Sequence, residues 1–259
     1  MTVVPSPVPN PRVLVVSDNE PLLTFFTDLL TRRPDLQEGR RFRFVCSPAS
    51  VMLAGRRFGD FEIETLSMKR DLQFVIDNYD LVVSAHCKQL FPAALVGARL
   101  CVNIHPGLNP HNRGWYPQVF SIVNGLPLGA TIHVIDEELD HGGIIDQLEV
   151  PVHAWDTSLD AYLRVLAAEE VILERSIGPI LAGRFETNPP PGEGNLNLKK
   201  DFERLCAIDL AEPTTFGGAI DRLRALSHGP LRNASFLDPK SGRRVFVRIT
   251  LEPEEDASE

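Results

Sequence analysis

Asn103 and His105 stand two residues apart at the end of the run Leu100-Cys-Val-Asn-Ile-His105, which Pro106-Gly107 stops abruptly. Leu100, Val102 and Ile104 give this run the composition of a buried strand. Strand side chains alternate faces, so Asn103 and His105 share one face at the strand's carboxyl end, where ligands bind in open α/β sheets. An amide beside an imidazole suits chemistry on an acyl carbon. Attack on such a carbon develops an oxyanion, which needs donors aimed at it. An attacking amine must shed protons, which calls for a base that titrates near neutrality, as histidine does. A carboxylate beside the imidazole would hold its tautomer and stabilise its charged form. Asp140, in the acidic loop Asp136-Glu-Glu-Leu-Asp-His-Gly-Gly143, is the candidate, with Asp136, Glu137 and Glu138 as competitors.

His86, Cys87, His105, His133 and His141 also fall near strand ends. Neither an H-E-x-x-H nor a paired C-x-x-C spacing accompanies them, and no bound metal is expected.

The elements that must position these residues alternate. Arg12–Ser17 reads as a strand, and Leu22, Leu23, Phe25, Phe26, Leu29 and Leu30 form one broad face of a following helix. The turn between them, Asp18-Asn19, lacks the Gly-rich dinucleotide fingerprint, which weighs against NAD. Further strands are expected at 43–46, 79–84, 129–135 and 144–150. Helices are expected at 69–78, at 116–124 (started by Pro117, stopped by Gly125), and from Thr157 or Ser158 to near Gly178-Pro179 or Gly183. Residues 47–68 give no clear pattern. This alternation predicts an α/β fold with a mostly parallel sheet covered on both faces.

Composition changes at the turn-rich Asn188-Pro-Pro-Pro-Gly-Glu-Gly194. We expect a Pro-rich N-terminal arm at 1–11, a body at 12–187, and a small C-terminal extension at 188–259. The extension should hold a helix at 216–226 and a hairpin from Phe236 to Leu251, with Val245, Val247, Ile249 and Leu251 on one face of its second strand. The acidic tail after Pro253 should be disordered.

The formal net charge of −9 over 259 residues argues against nucleic-acid binding, since the pairs Arg40-Arg41, Arg56-Arg57, Lys199-Lys200 and Arg243-Arg244 are short. Four irregularly spaced cysteines, with no secretory segment or long apolar span, predict a reduced, cytoplasmic setting and no membrane partner.

Taken together, Asn103-Ile-His-Pro-Gly-Leu-Asn-Pro-His-Asn-Arg-Gly114, Pro117, Gly129-Ala-Thr-Ile-His133 and Leu139-Asp-His-Gly-Gly-Ile-Ile145 resemble the folate-dependent formyltransferases over residues 12–185. The resemblance implies a Rossmann-like sheet and N10-formyltetrahydrofolate as co-substrate. It implies a catalytic trio in which Asn103 holds the formyl oxygen, His105 assists proton transfer, and Asp140 polarises His105. It places the pterin beside His86, Cys87, Lys88, Gln89 and Leu90 and beside Val134, Ile135 and Asp136.

Within that family, three segments are similar to the nucleotide-sugar N-formyltransferases: His86-Cys-Lys-Gln-Leu-Phe-Pro92, Asn112-Arg-Gly-Trp-Tyr-Pro-Gln-Val-Phe120 and Gly194-Asn-Leu-Asn-Leu-Lys-Lys-Asp-Phe202. Members of that subgroup formylate the 4-amino group of a nucleotide-linked 4-amino-4,6-dideoxyhexose, such as dTDP-4-amino-4,6-dideoxyglucose or GDP-perosamine, for surface polysaccharide such as O-antigen. The short extension and acidic charge count against the methionyl-tRNA branch, and the glycine-free Ser17-Asp-Asn19 turn counts against the glycinamide ribonucleotide branch. For the acceptor's diphosphate the cations Lys88, Arg113, Lys199 and Lys200 are available. Trp115 and Tyr116 offer flat faces and hydrogen bonds to a sugar or base, with Gly114 beside them as a further substrate contact. Asn19 is either a sugar contact or a helix cap. The subgroup resemblance and the apolar hairpin suggest a homodimer. Rival activities are formylation of an amino-acyl or ribonucleotide amine, hydrolysis of formyltetrahydrofolate, and an idle binding module.

Overall fold

The computed structural model describes residue 8 and residues 10–254. Most of the expected N-terminal arm and the end of the acidic tail lie outside them. The strands are β1 (Arg12–Ser17), β2 (Arg41–Cys46), β3 (Arg57–Phe58), β4 (Phe61–Glu62), β5 (Glu64–Thr65), β6 (Leu81–Ala85), β7 (Leu100–His105), β8 (Arg113–Gly114), β9 (Leu128–Val134), β10 (Ile144–Val150), β11 (Leu196–Asn197), β12 (Ser235–Leu237) and β13 (Arg244–Phe246). The helices are α1 (Glu20–Arg32), α2 (Leu72–Asn78), α3 (Ala93–Ala98), α4 (Pro117–Asn124), α5 (Ser158–Leu181), α6 (Lys199–Cys206) and α7 (Phe216–Leu226).

Seven strands form the central sheet in the order β10-β9-β7-β6-β1-β2-β5. β5, β2, β1, β6 and β7 run parallel; β9 is antiparallel to β7, and β10 to β9. The mostly parallel α/β expectation therefore holds. The strands are apolar almost throughout because both faces are covered. Val13 and Val15 pack on one side with Phe26, Ile172 and Ile177, whereas Leu14 and Val16 pack on the other with Val75 and Leu95.

Helix ends follow their local chemistry. Asn19 Oδ1 accepts the Leu22 N–H at 3.0 Å and caps α1. Thr157 and Asp160 form a capping box at the start of α5. Gly125, at φ +69°, closes α4 in the left-handed conformation that a side chain would oppose.

Four departures have physical reasons. Residues 47–68 hold the small β3–β4 hairpin and the edge strand β5, pieces too short to print a period in sequence. α3 is only six residues long and is fixed by burying Leu95 and Val96. Lys199 and Lys200, read as cations for a diphosphate, open the exposed helix α6, where the Leu198 N–H is taken by Asp201 Oδ2 at 2.9 Å. The hairpin's second strand ends at Phe246 rather than Leu251, because the Ile249 N–H turns to Ser227 Oγ at 3.0 Å.

The extension is not a loose appendage. Ala225, Leu226 and Ala234 share one buried cluster with Val119 and Ile122 of α4 and with Ala161 and Val165 of α5.

Candidate active site

Because β1, β6 and β7 are parallel, their carboxyl ends meet on one edge of the sheet, bringing Asp18 and Asn19, His86, and His105 together. β9 enters the same edge from the opposite direction, so His133 lies across from Asn103. Loop 135–140 then crosses in front. These segments line a cavity of about 780 Å³, with Trp115 and Tyr116 on its wall.

Asp140 is the hub of the cluster. Its Oδ1 accepts from Asn103 Nδ2 at 3.0 Å, its Oδ2 accepts from the Gly114 N–H at 3.1 Å, and its carbonyl accepts from Asn109 Nδ2 at 2.8 Å. His105 Nδ1 lies 3.5 Å from Oδ2 and His133 Nε2 lies 3.5 Å from Oδ1. Burial alone would raise the Asp140 carboxyl. The neighbouring imidazoles and the Gly114 N–H more than reverse that, holding it well below the usual carboxylate range.

His105 is only 3% exposed, and burial pushes its pKa down to about 4 against the pull of Asp140. The ring is therefore neutral at pH 7, with its hydrogen facing the carboxylate on Nδ1. Nε2 is buried and has no hydrogen-bond partner among the described residues. A free imidazole lone pair is a proton acceptor. His133 Nδ1 lies 2.9 Å from the Val134 carbonyl, and its Nε2 lies 3.3 Å from Asn103 Nδ2. Asn103 Nδ2 thus has both Asp140 and His133 beside it within the cluster.

The neighbouring wall is built from β1, β6 and α5. Asp18, which the sequence did not single out, accepts from the Ser47 N–H at 2.8 Å and the Lys88 N–H at 2.7 Å, tying three strand ends together. Asn19 Nδ2 reaches His86 Nδ1 at 3.0 Å and the Tyr162 hydroxyl at 2.6 Å. His86 Nε2 lies 2.8 Å from Oε1 of the fully buried Glu169.

The motifs at 112–120 and 194–202 turn out to be one structure. β11 pairs in parallel with β8, and the fully buried Asn112 joins them. Its Oδ1 accepts from Asn124 and Asn195 at 2.7 Å each and from Asn197 at 3.1 Å. A Cβ on Gly114 (φ +91°) would lie 2.4 Å from the Asn197 carbonyl, and one on Gly194 would lie 1.8 Å from that of Pro110, so only glycine allows this approach. Since Gly114 also donates to Asp140, the extension braces the acidic residue of the cluster.

Of the residues singled out in sequence, Asn103, His105 and Asp140 converge on the cavity. So do His86, Cys87, Lys88, Gln89, Leu90, Ile135, Asp136, Asn19, Gly114, Trp115 and Tyr116. Gln89 spends its side chain on the Met68 N–H and the Leu66 carbonyl, both at 3.0 Å. Asn19 is at once helix cap and cavity wall. Val134 is buried behind the wall, and Lys199 and Lys200 stand off it on α6. Arg113, read as a diphosphate cation, is buried, and its Nη1 donates to the Leu139 carbonyl at 3.2 Å, steadying the acidic loop. His133, Tyr162, Glu169 and Asp18 were missed as site residues; His133 alone carried a signal, its place at a strand end. Among the described residues no group of three or more His, Cys, Asp or Glu side chains is gathered to hold a metal.

Comparison with known proteins agrees with this geometry. A formyl transferase family model matches residues 48–177, and a model of the N-formyltransferase dimerization C-terminal domain matches residues 201–253. The chain is 53% identical over 183 residues, 71% of its length, to a dTDP-4-amino-4,6-dideoxyglucose formyltransferase of Mycobacterium tuberculosis, of which it covers 78%. It is 28% identical over 214 residues to a methionyl-tRNA formyltransferase of Geobacillus thermodenitrificans, covering 79% of this chain and 65% of that one. Among solved structures, a 4-N formyltransferase from Francisella tularensis superposes with a TM-score of 0.87 at 43% identity over 94% of this chain and 98% of that one. A sugar N-formyltransferase from Shewanella sp. gives 0.88 at 40% identity over 94% and 99%. A polar trio on a strand-end cavity, matched over nearly the whole chain by such relatives, leaves one assignment: this chain belongs to the formyltransferase family, among its sugar N-formyltransferases.

Proposed function

We propose that the protein transfers the formyl group of N10-formyltetrahydrofolate to the 4-amino group of a nucleotide-linked 4-amino-4,6-dideoxyhexose, with dTDP-4-amino-4,6-dideoxyglucose as the first choice. The resulting formamido sugar would serve surface polysaccharide. The observation that carries this is the convergence of Asn103, His105 and Asp140 on one cavity, with His105 neutral and its Nε2 unpartnered among the described residues. The 53% identical relative named for the dTDP sugar favours that acceptor over GDP-perosamine.

The cavity suits both substrates: its volume lies in the ordinary range for small-molecule sites, and it is open to a pterin beside residues 86–90 and 135–136. The folate supplies an activated formyl carbon. Asn103 Nδ2 holds the formyl oxygen by releasing the longer of its two bonds, the 3.3 Å one to His133. As the amine nitrogen bonds to the formyl carbon, His105 Nε2 accepts the proton it sheds, and ionised Asp140, 3.5 Å from Nδ1, stabilises the imidazolium that results; the proton passes to N10 as the N10–formyl bond breaks and tetrahydrofolate leaves. Lys88 and Trp115 are the cavity's candidates for the nucleotide end. We take residues 12–187 as the catalytic domain, residues 188–259 as the extension that braces it, and the protein as a homodimer joined through that extension, in keeping with the family match at 201–253.

The test is turnover with N10-formyltetrahydrofolate and a panel of dTDP-, GDP- and UDP-linked 4-amino sugars. Formylation of the dTDP sugar is expected, and His105→Ala should abolish most of it while remaining folded. Rapid folate release in the absence of any amine would instead identify a hydrolase, and near-normal activity of His105→Ala would remove the role given to His105.

A further inference from the structure

The wall that faces Tyr162 contains a chain of hydrogen bonds whose direction is fixed at both ends. At one end Asn19 Oδ1 accepts the Leu22 N–H at 3.0 Å, so the amide cannot be flipped without setting donor against donor. Its Nδ2 hydrogens must therefore be the ones offered to His86 Nδ1 at 3.0 Å and to the Tyr162 oxygen at 2.6 Å. At the other end Glu169 Oε1, an acceptor 2.8 Å away, requires the His86 hydrogen on Nε2. That leaves Nδ1 as a lone pair, which is what Asn19 needs. The two ends agree, and the Glu169 contact holds the His86 tautomer that Asn19 requires.

One hydrogen is left over. The Tyr162 oxygen already accepts from Asn19, and no acceptor among the described residues takes the phenol's own hydrogen. Tyr162 is on the cavity wall with Asn19 and His86. In register, His86 is the residue after Ala85, which pairs with Ile104, so this wall adjoins His105. Burial raises the phenol's pKa, so the hydrogen stays on the oxygen across neutral pH.

We infer that the Tyr162 hydroxyl is a dedicated donor to a hydroxyl oxygen of the acceptor sugar, and that Asn19, His86 and Glu169 are the residues that aim it. This rests on the amino-sugar reading above and adds a specificity contact to it. A tyrosine with both its acceptor and donor capacities free would adapt to many ligands. One whose oxygen is already filled can only give a hydrogen, so it selects for an acceptor at that point and is left unpaired by a sugar that lacks one.

The experiment is steady-state kinetics of the wild type and Tyr162→Phe on dTDP-4-amino-4,6-dideoxyglucose and on its 2-deoxy and 3-deoxy analogues, with formyl donor saturating. Tyr162→Phe should lower kcat/KM about tenfold on the parent sugar. With one of the two deoxy sugars the two enzymes should be equal, because the lost partner is the same. Asn19→Asp gives a second handle: aspartate still caps α1 but offers Tyr162 an acceptor, drawing the phenolic hydrogen off the cavity. It should lose at least a comparable factor on the parent sugar, because it also sets an acceptor against the His86 Nδ1 lone pair. Unchanged kcat/KM in Tyr162→Phe, an equal loss on all three sugars, or an Asn19→Asp enzyme as active as the wild type on the parent sugar would each overturn the assignment while the wild type still formylates the parent. A wild type that formylates none of the three overturns the amino-sugar reading itself, and this assignment with it.

Discussion

Adding one methyl group to Gly107 should disable the enzyme without unfolding it. Gly107 follows the β7 strand by two residues, and a Cβ placed on it would lie 2.5 Å from His105 Nε2, 2.9 Å from His105 Cδ2 and 3.2 Å from Pro117 Cγ. Ordinary contact begins near 3.4 Å, so the imidazole nitrogen would have to retreat by about 0.9 Å (3.4 − 2.5). The ring has little room to do so, being 3% exposed and backed by Asp140 and His133. Overpacking of this kind costs about 1–3 kcal/mol of stability, which a domain of this size can survive. Displacing a reacting group by about 1 Å costs on the order of 100-fold in rate. Gly107→Ala should therefore show kcat/KM lowered about 100-fold while its far-ultraviolet circular dichroism stays native. Gly97→Ala, in α3 with nothing within 4 Å of the new methyl, is the control and should keep full activity with stability unchanged or raised by up to about 1 kcal/mol. Gly107→Ala with kcat/KM within about twofold of the wild type would refute the placement of His105 Nε2 as the proton acceptor.

Three further outcomes follow from the same geometry. The His105 pKa falls from its ordinary 6.5 to about 4 on folding, so between those values the unfolded chain binds the proton that the native state refuses. Its contribution is complete above pH 6.5 and is lost as the pH falls to 4, about 3 kcal/mol in all, and His105→Gln should flatten the urea-derived stability curve in that window; an unchanged slope would count against the burial argument. Asp140→Asn must turn an amide NH2 group either toward the Gly114 N–H and the His105 Nδ1–H, which share Oδ2, or toward Asn103 Nδ2, which donates to Oδ1, so it should cost at least 100-fold in kcat, with folate affinity changed little by equilibrium titration. Asn112→Ala strands three donors that now share one carbonyl oxygen and should cost about 3 kcal/mol in urea unfolding and open residues 188–197 to proteolysis; resistance equal to the wild type would mean that the extension is held elsewhere.

What could be read from the sequence was whatever announces itself locally. The alternation in β7 put Asn103 and His105 on one face, Pro117 and Gly125 bounded α4, and Thr157 marked the start of α5. The acidic loop between two strands offered Asp140 among four carboxylates, and it was the family resemblance that singled it out. The illegible residues owe their roles to packing across long separations. Glu169 sits in Ala167-Ala-Glu-Glu-Val171, which looks like solvent-facing helix, and only the end of β6 arriving 83 residues earlier in sequence makes it the partner of His86. Arg113 carries the charge expected of a phosphate ligand, yet the β8–β11 pairing draws it inward to the Leu139 carbonyl. Asn112 stands in a turn, and what the sequence does not reveal is that the turn is the socket for a second chain segment 83 to 85 residues away.

The backbone tells where this packing is spent. Among the described residues, five that are not glycine have positive φ, and four of these, His86 (57°), Asn112 (50°), Tyr116 (54°) and Asp140 (49°), belong to the cavity or its brace. Each such position costs roughly 1 kcal/mol and persists only where its surroundings over-determine it. The surroundings do so here: three hydrogen bonds hold Asp140, the asparagine cluster holds Asn112, Asn19 and Glu169 hold His86, and Phe202 packs against Tyr116 at a tilt of 36° with ring centroids 4.2 Å apart. Phe202 and the partners Asn195 and Asn197 all come from the extension. Residues outside the central sheet therefore help fix the backbone at the proposed catalytic cluster, so turnover should depend on the extension apart from any part it plays in joining subunits.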